Sequence, residues 1–136
     1  MCLVITVKCA ETLPPNVEGD FLDGATLSLI PQHGHYREKR TAAFNISDIQ
    51  VGGCACGLLT ETASWEADTW QFKLGMLPLL EETIVRIAKH SRRGFTFEAA
   101  WHGKELPHEQ RVTTKELRQI IKENRVSTTT KYRVAA

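Results

Sequence analysis

Two thiols lie one residue apart shortly after residue 50, with glycines on both sides of them. The segment reads Val51-Gly52-Gly53-Cys54-Ala55-Cys56-Gly57. Glycine reaches backbone conformations that other residues avoid, so both sulfurs can be presented at a tight turn. Because thiolates are the nucleophiles and the soft metal ligands of proteins, the segment indicates thiol or metal chemistry.

A histidine pair about twenty residues upstream can complete a metal site. Cys54 and Cys56 would supply two of the four ligands of a structural zinc, and His33 and His35 the other two. The spacing fits neither common zinc pattern, and it has one residue fewer than the Cys-x-x-Cys redox motif. Zinc binding and thiol redox chemistry therefore stand beside a third interpretation, in which the cysteines are small buried apolar side chains.

Charge is distributed unevenly along the chain, although the formal net charge is only +1. Residues 1–85 contain 5 Lys/Arg and 11 Asp/Glu, whereas residues 86–136 contain 12 Lys/Arg and 5 Asp/Glu. A basic region of this kind can bind the phosphates of nucleic acid. The residues predicted for such a site are Arg86, Lys89, Arg92, Arg93, Arg118 and Lys122.

The basic residues also have a simpler interpretation, in which they form the solvated faces of helices and complement the acidic half. The isoelectric point near 7.7 lies below the range typical of a dedicated nucleic-acid-binding domain. After Trp101 the chain has a single aromatic residue, Tyr132, for stacking on bases. Nucleic-acid binding is therefore kept as an alternative.

Length and composition predict one globular domain over residues 1–136, because 42% of the residues are hydrophobic and 24% are charged. No apolar stretch approaches the roughly 20 residues that span a bilayer, so no membrane partner is expected. The first residues read as a strand, so we expect a cytoplasmic protein with mostly reduced cysteines.

Alternating apolar residues predict five strands, and helical spacing predicts three helices. Pro78 suits the first turn of a helix, and the sequence Thr113-Thr114-Lys115-Glu116 matches a capping box. The predicted strands cover residues 2–10, 25–30, 41–46, 95–101 and 128–134. The predicted helices cover residues 64–74, 77–91 (or one kinked helix over both ranges) and 114–124.

The resulting order, β-β-β-α-α-β-α-β, predicts an α+β domain in which helices pack on one face of a mixed sheet. Residues 102–111 are predicted to be a loop, and the strands at 95–101 and 128–134 to be joined in parallel by a crossover. No catalytic motif is complete in the sequence. The leading hypothesis is a small binding or interaction module without catalytic activity, with a protein partner or self-association through an open sheet edge.

Overall fold

The computed structural model describes residues 3–9, 28–31, 42–47, 55–60 and 71–135. Six strands and two α-helices lie in these ranges. The strands are β1 (Leu3–Cys9), β2 (Ser28–Pro31), β3 (Ala42–Ser47), β4 (Phe95–Trp101), β5 (His108–Val112) and β6 (Thr130–Val134). The helices are α1 (Leu77–His90) and α2 (Thr114–Lys122), and short 3₁₀ turns cover Cys56–Leu58 and Leu74–Met76.

The strands form one mixed sheet in the order β2-β3-β1-β4-β6-β5. Four of its strand pairs are antiparallel, and β5 pairs with β6 in parallel. Both helices contribute buried apolar side chains to a core that they share with β1, β4 and β6. The predicted α+β class, with helices on one sheet face, is confirmed.

Alternation along the two central strands separates the core from the opposite sheet face. Every second residue of β1, from Leu3 to Cys9, is buried, and β4 follows the same pattern from Phe95 to Trp101. Successive strand side chains point to opposite faces, so this pattern places one apolar row on each strand beneath the helices.

The two helices begin where the sequence predicted. Pro78 lies in the first turn of α1, and the Thr113 hydroxyl at the start of α2 accepts a hydrogen bond from the Glu116 amide. The Glu116 carboxylate in turn accepts one from the Thr113 amide, which completes the capping box. Gly94, with φ of +84°, ends the turn between α1 and β4 in a conformation that favours glycine.

The predicted helix over residues 64–74 is wrong at its end. Residues 64–70 lie outside the described ranges, and Phe72 forms a β-bridge with Leu59 instead of a helical turn. The Lys73 amide donates to the Leu58 carbonyl, and the Thr60 amide donates to the Gln71 carbonyl. Tertiary hydrogen bonds have here replaced the local bonds that the helical spacing predicted.

The predicted loop over residues 102–111 is also corrected, because β5 occupies its second half. Four of the five residues of β5 are exposed, so the strand lacks the apolar alternation that identifies strands in a sequence. The predicted parallel crossover from β4 to β6 is wrong, since those strands are antiparallel. The parallel pair is β5 and β6, and α2 connects them.

Asn124 fixes the end of α2 to the segment before α1. Its backbone has φ of +56°, and its side chain accepts from the Phe72 amide at 3.1 Å and donates to the Phe72 carbonyl at 2.9 Å. Asparagine tolerates the left-handed conformation better than most residues do. One side chain therefore satisfies both backbone groups of a residue that is 52 positions away.

None of the helices in the described ranges is both long and apolar enough to cross a membrane.

Two substitutions of Asn124 should distinguish the stability contributed by its side-chain hydrogen bonds from that contributed by its backbone conformation. We expect Asn124→Gly to lower the free energy of unfolding by about 2 kcal/mol, roughly 1 kcal/mol for each lost bond. Asn124→Ala should lose about 1 kcal/mol more, because alanine is strained at positive φ. Urea denaturation measures both values, with Lys115→Ala on the exposed face of α2 as the control. Equal stability of the glycine variant and the wild type would contradict the role of the hydrogen bonds.

Candidate anion-binding pocket

The structure describes one of the four residues predicted to bind zinc. Cys56 is half-buried, and its sulfur accepts a hydrogen bond from the Leu3 amide at 3.3 Å. Cys54, His33 and His35 lie outside the described ranges, so the metal and redox hypotheses stay predictions. Among the residues that are described, no group of three or more His, Cys, Asp or Glu side chains could hold a metal ion.

The six basic residues predicted to bind nucleic acid lie on α1, in the turn after it and on α2, and their role stays a prediction. Arg86 pairs with Glu82 one turn earlier on α1, and Arg118 on α2 lies 3.9 Å from the Glu81 carboxylate. The remaining side chains on the helices and in the turn after α1 are exposed: Lys89, Arg92 and Lys122. The sixth residue, Arg93, is among the lining residues of a pocket.

That site is a pocket of about 580 Å³ at the end of the sheet where β1 and β6 finish and β4 begins. Its lining contains five cationic side chains, one threonine and no acidic residue among those that the structure describes. The cationic residues are Lys8, Arg93, Arg111, Lys131 and Arg133. A volume of this size falls in the range of small-molecule sites, about 300–1,000 Å³.

Strand register places four of the lining residues in one row across the sheet. Lys8 pairs with Thr96, Thr96 pairs with Arg133, and Arg133 pairs with Arg111. Residues paired in this way have Cβ atoms about 5 Å apart on the same face. The two side chains that flank Thr96 are therefore a lysine and an arginine, and a second arginine follows.

A second row beside the first carries the carboxylates that partly balance these charges. Thr6 pairs with Glu98, Glu98 with Lys131, and Lys131 with Glu109. The Glu98 carboxylate lies 3.6 Å from the Lys131 ammonium and 4.0 Å from the Lys8 ammonium. Both rows lie on the sheet face opposite the core, because they alternate with the buried residues of β1, β4 and β6.

Arg133 holds Glu109 in its charged form. Both the Nε and the Nη2 of Arg133 donate to Glu109 Oε1, at 3.0 and 2.7 Å. These hydrogen bonds, followed by the charge of Arg133 and then those of Lys131 and Arg111, lower the pKa of Glu109 below its ordinary value of 4.5. The fixed carboxylate in turn orients the Arg133 guanidinium at the side of the pocket.

Thr96 contributes a polar atom without a partner to the pocket. Its hydroxyl oxygen is buried and makes no hydrogen bond, although a lysine and an arginine are its cross-strand neighbours. An unpaired buried hydroxyl costs about 1–3 kcal/mol. The flanking Lys8 and Arg133 side chains keep 42% and 53% of their exposure, so both can be reached from solvent.

The sequence gives only a partial signal for this pocket. Lys131 and Arg133 alternate with buried Tyr132 and Val134, which identifies two cations on one face of a strand. Lys8 comes from the opposite end of the chain, and Arg111 lies in the segment predicted to be a loop. The strand registers that join these residues, antiparallel for Lys8 and parallel for Arg111, are tertiary contacts, which single-sequence patterns do not specify.

The ion pair between Glu109 and Arg133 predicts how the Glu109 carboxyl titrates in acid. Since its folded-state pKa lies below 4.5, the ionised carboxylate stabilises the fold fully above the unfolded-state value, and this contribution is lost as pH falls through the lowered pKa. Arg133→Gln should raise the pKa of Glu109 back toward 4.5, as followed by carboxyl ¹³C chemical shifts. Arg125→Gln, which removes the partner of Glu123, is the control. A Glu109 pKa insensitive to Arg133→Gln would contradict the assigned cause.

Thr96→Val should make the protein more stable. Valine keeps the β-branched shape and removes an unpaired buried hydroxyl, so we expect the free energy of unfolding to rise by about 1 kcal/mol. Thr83→Val is the matched control, because the buried Thr83 hydroxyl donates to the Leu79 carbonyl at 2.7 Å and its loss brings no such gain. Urea denaturation measures both, and a loss of stability in Thr96→Val would show that its hydroxyl is paired.

Comparison of the chain with known proteins gives no match. Models of protein families, curated proteins and solved structures were each compared with it, and none is similar. The position, charge and geometry of the pocket are therefore the observations from which a function is inferred.

Proposed function

We propose that the protein is a small binding module without catalytic activity and that the pocket at the end of the sheet binds a small anionic molecule. The observation that carries this proposal is the row Lys8, Thr96, Arg133 and Arg111 in the lining of a cavity of about 580 Å³. Cationic side chains grouped in a concave site attract anions and bind them through charge-assisted hydrogen bonds.

The concentration of charge supports a binding role, because packing the core does not require it. The protein as a whole has a formal charge of only +1, yet five cations line one pocket. On this sheet face four cations accompany two carboxylates, and like charges on neighbouring strands repel one another. Because the cations repel one another in the free protein, a bound anion would lower the electrostatic free energy of the site.

A small ligand fits this site better than a nucleic-acid strand. Of the six basic residues predicted to contact nucleic acid, Arg86 and Arg118 already face the carboxylates of Glu82 and Glu81. Polymer binding uses an extended series of phosphate contacts. The nucleic-acid hypothesis therefore becomes an alternative outcome of the binding experiments.

Self-association through a sheet edge and a cytoplasmic location remain predictions. In the described part of the sheet, β5 is an edge strand, and four of its residues are exposed. Its charged side chains Glu109 and Arg111 are of the kind that discourages pairing with another strand. An interface at this edge would have to accommodate the Glu109–Arg133 ion pair.

Charge removal at the pocket should weaken anion binding. We expect Arg111→Gln to reduce the affinity for pyrophosphate roughly tenfold, which corresponds to one lost charge-assisted hydrogen bond. Isothermal titration calorimetry at low ionic strength measures the affinity, since salt screens exposed charges.

Lys104→Gln is the matched control, because it removes the same charge from the other end of β4. The Lys104 amide donates to the Trp101 carbonyl at 2.9 Å. Trp101 follows Thr96 by five residues on β4, so it lies roughly 17 Å from Thr96 along the strand. Its affinity for pyrophosphate should match that of the wild type. Equal weakening in both variants, or no pyrophosphate binding to the wild type, would overturn the pocket as the site. Tighter binding to heparin that depends on Arg86 and Lys122 would favour the nucleic-acid alternative.

A further inference from the structure

The charge carried by the pocket specifies the charge of its ligand. Four cations project from the sheet face at the pocket, Lys8, Arg111, Lys131 and Arg133, and the adjacent carboxylates are Glu98 and Glu109. Among the described strand residues of this face, two positive charges therefore remain in excess, without counting Arg93. A ligand with two negative charges on one compact group neutralises that excess.

We propose that the ligand is a small phosphomonoester whose phosphoryl group binds over Thr96, between Lys8 and Arg133. This inference rests on the proposed function and names the chemical class of the anion. A phosphomonoester carries about −1.5 to −2 charge at pH 7 and has three strong acceptor oxygens. Lys8, Arg133 and the Thr96 hydroxyl offer three kinds of donor on adjacent strands.

The unpaired hydroxyl distinguishes this site from a merely basic surface. Thr96 Oγ1 is buried without a hydrogen-bond partner, and an oxyanion above it is an acceptor that it lacks in the free protein. Arg133 is held in place by Glu109 through two hydrogen bonds, so its guanidinium is oriented before the ligand arrives. Lys8 lies 4.0 Å from Glu98, beyond hydrogen-bonding distance, so a phosphoryl group can recruit it at little cost.

The pocket is larger than a phosphoryl group, so we expect the ligand to be a phosphate ester whose organic part fills the remaining volume. A phosphoryl group takes up roughly 120 Å³ when each of its four non-hydrogen atoms is given the share of one water in the liquid, about 30 Å³. The cavity of about 580 Å³ therefore leaves most of its space for the rest of the ligand. Apart from the cations and Thr96, the described lining consists of Cys9, Gly94, Phe95, Val134 and Ala135, which carry no charged side chain. The ligand body is therefore uncharged.

A matched pair of ligands tests the charge requirement. Phenyl phosphate and phenyl sulfate share one body, but the phosphate is a dianion above its second pKa near 6 and the sulfate is always a monoanion. We expect phenyl phosphate to bind at least tenfold more tightly at pH 7.5 by calorimetry. If only the dianion binds, the apparent affinity for phenyl phosphate should fall about fourfold at pH 5.5, because about a quarter of the phenyl phosphate molecules are doubly charged at that pH.

Phenyl sulfate at the same two pH values is the control for titration of the protein itself. Its affinity should change little, because its own charge is constant. Inorganic phosphate should bind more weakly than phenyl phosphate, because it leaves the uncharged part of the pocket empty. Equal affinities for phenyl phosphate and phenyl sulfate would overturn the phosphomonoester while leaving an anion site in place. If phenyl phosphate, phenyl sulfate and pyrophosphate all fail to bind, the proposed function would be overturned as well.

Thr96→Val tests the position of the phosphoryl group separately from the charge. We expect this variant to bind phenyl phosphate roughly tenfold more weakly while its stability is equal to or above that of the wild type. Lys104→Gln should bind as the wild type does. Unchanged phenyl phosphate affinity in a folded Thr96→Val protein would overturn the position over Thr96. Tighter binding of a 5′-phosphorylated oligonucleotide than of phenyl phosphate would overturn the small-molecule ligand.

Discussion

The pairing of β1 with β4 is the constraint on which the rest of the structure depends. Seven consecutive residue pairs join the strands, from Leu3 with Trp101 to Cys9 with Phe95. The same register that turns these apolar rows toward the helices turns Lys8 and Thr96 to the opposite face, side by side. A slip by one residue would expose the apolar rows and bury Lys8, so the hydrophobic core and the pocket are fixed by a single register.

Two carboxylates make the concentration of cations compatible with a stable fold. Like charges grouped on one sheet face repel one another, although solvent screens those at exposed side-chain ends. Glu98, whose side chain is only 13% exposed, lies close to both Lys8 and Lys131 and offsets part of that repulsion. Glu109 does the same for Arg133 at the edge of the sheet. These two carboxylates do not neutralise all four cations, and the remaining positive charge would attract an anionic ligand.

Local sequence patterns predicted most elements of this fold and little of its pocket. The alternation of β1 and β4 and the capping box at Thr113 are written in adjacent residues, so they were predicted correctly. β5 was missed because an exposed edge strand has no apolar alternation, and the segment at Phe72 was misassigned because distant backbone groups and Asn124 satisfy it. The pocket joins residues from four strands by register, which the spacing of residues in one sequence does not reveal. Residue types and spacing indicate a site at Cys54 and Cys56 instead.

Because the pocket exists only in the assembled sheet, binding of a ligand there would be thermodynamically coupled to folding. Lys8 and Arg133 lie near opposite ends of the chain and meet Thr96 only when β1 and β6 have both paired with β4. An unfolded chain therefore has no site, and a ligand stabilises the folded state alone, by about 2.7 kcal/mol at a concentration of one hundred times its Kd. In the free protein the Thr96 hydroxyl lacks a partner, and the cations of this sheet face outnumber its carboxylates. The features that weaken the free protein at this end of the sheet are thus the ones that a bound dianion would relieve.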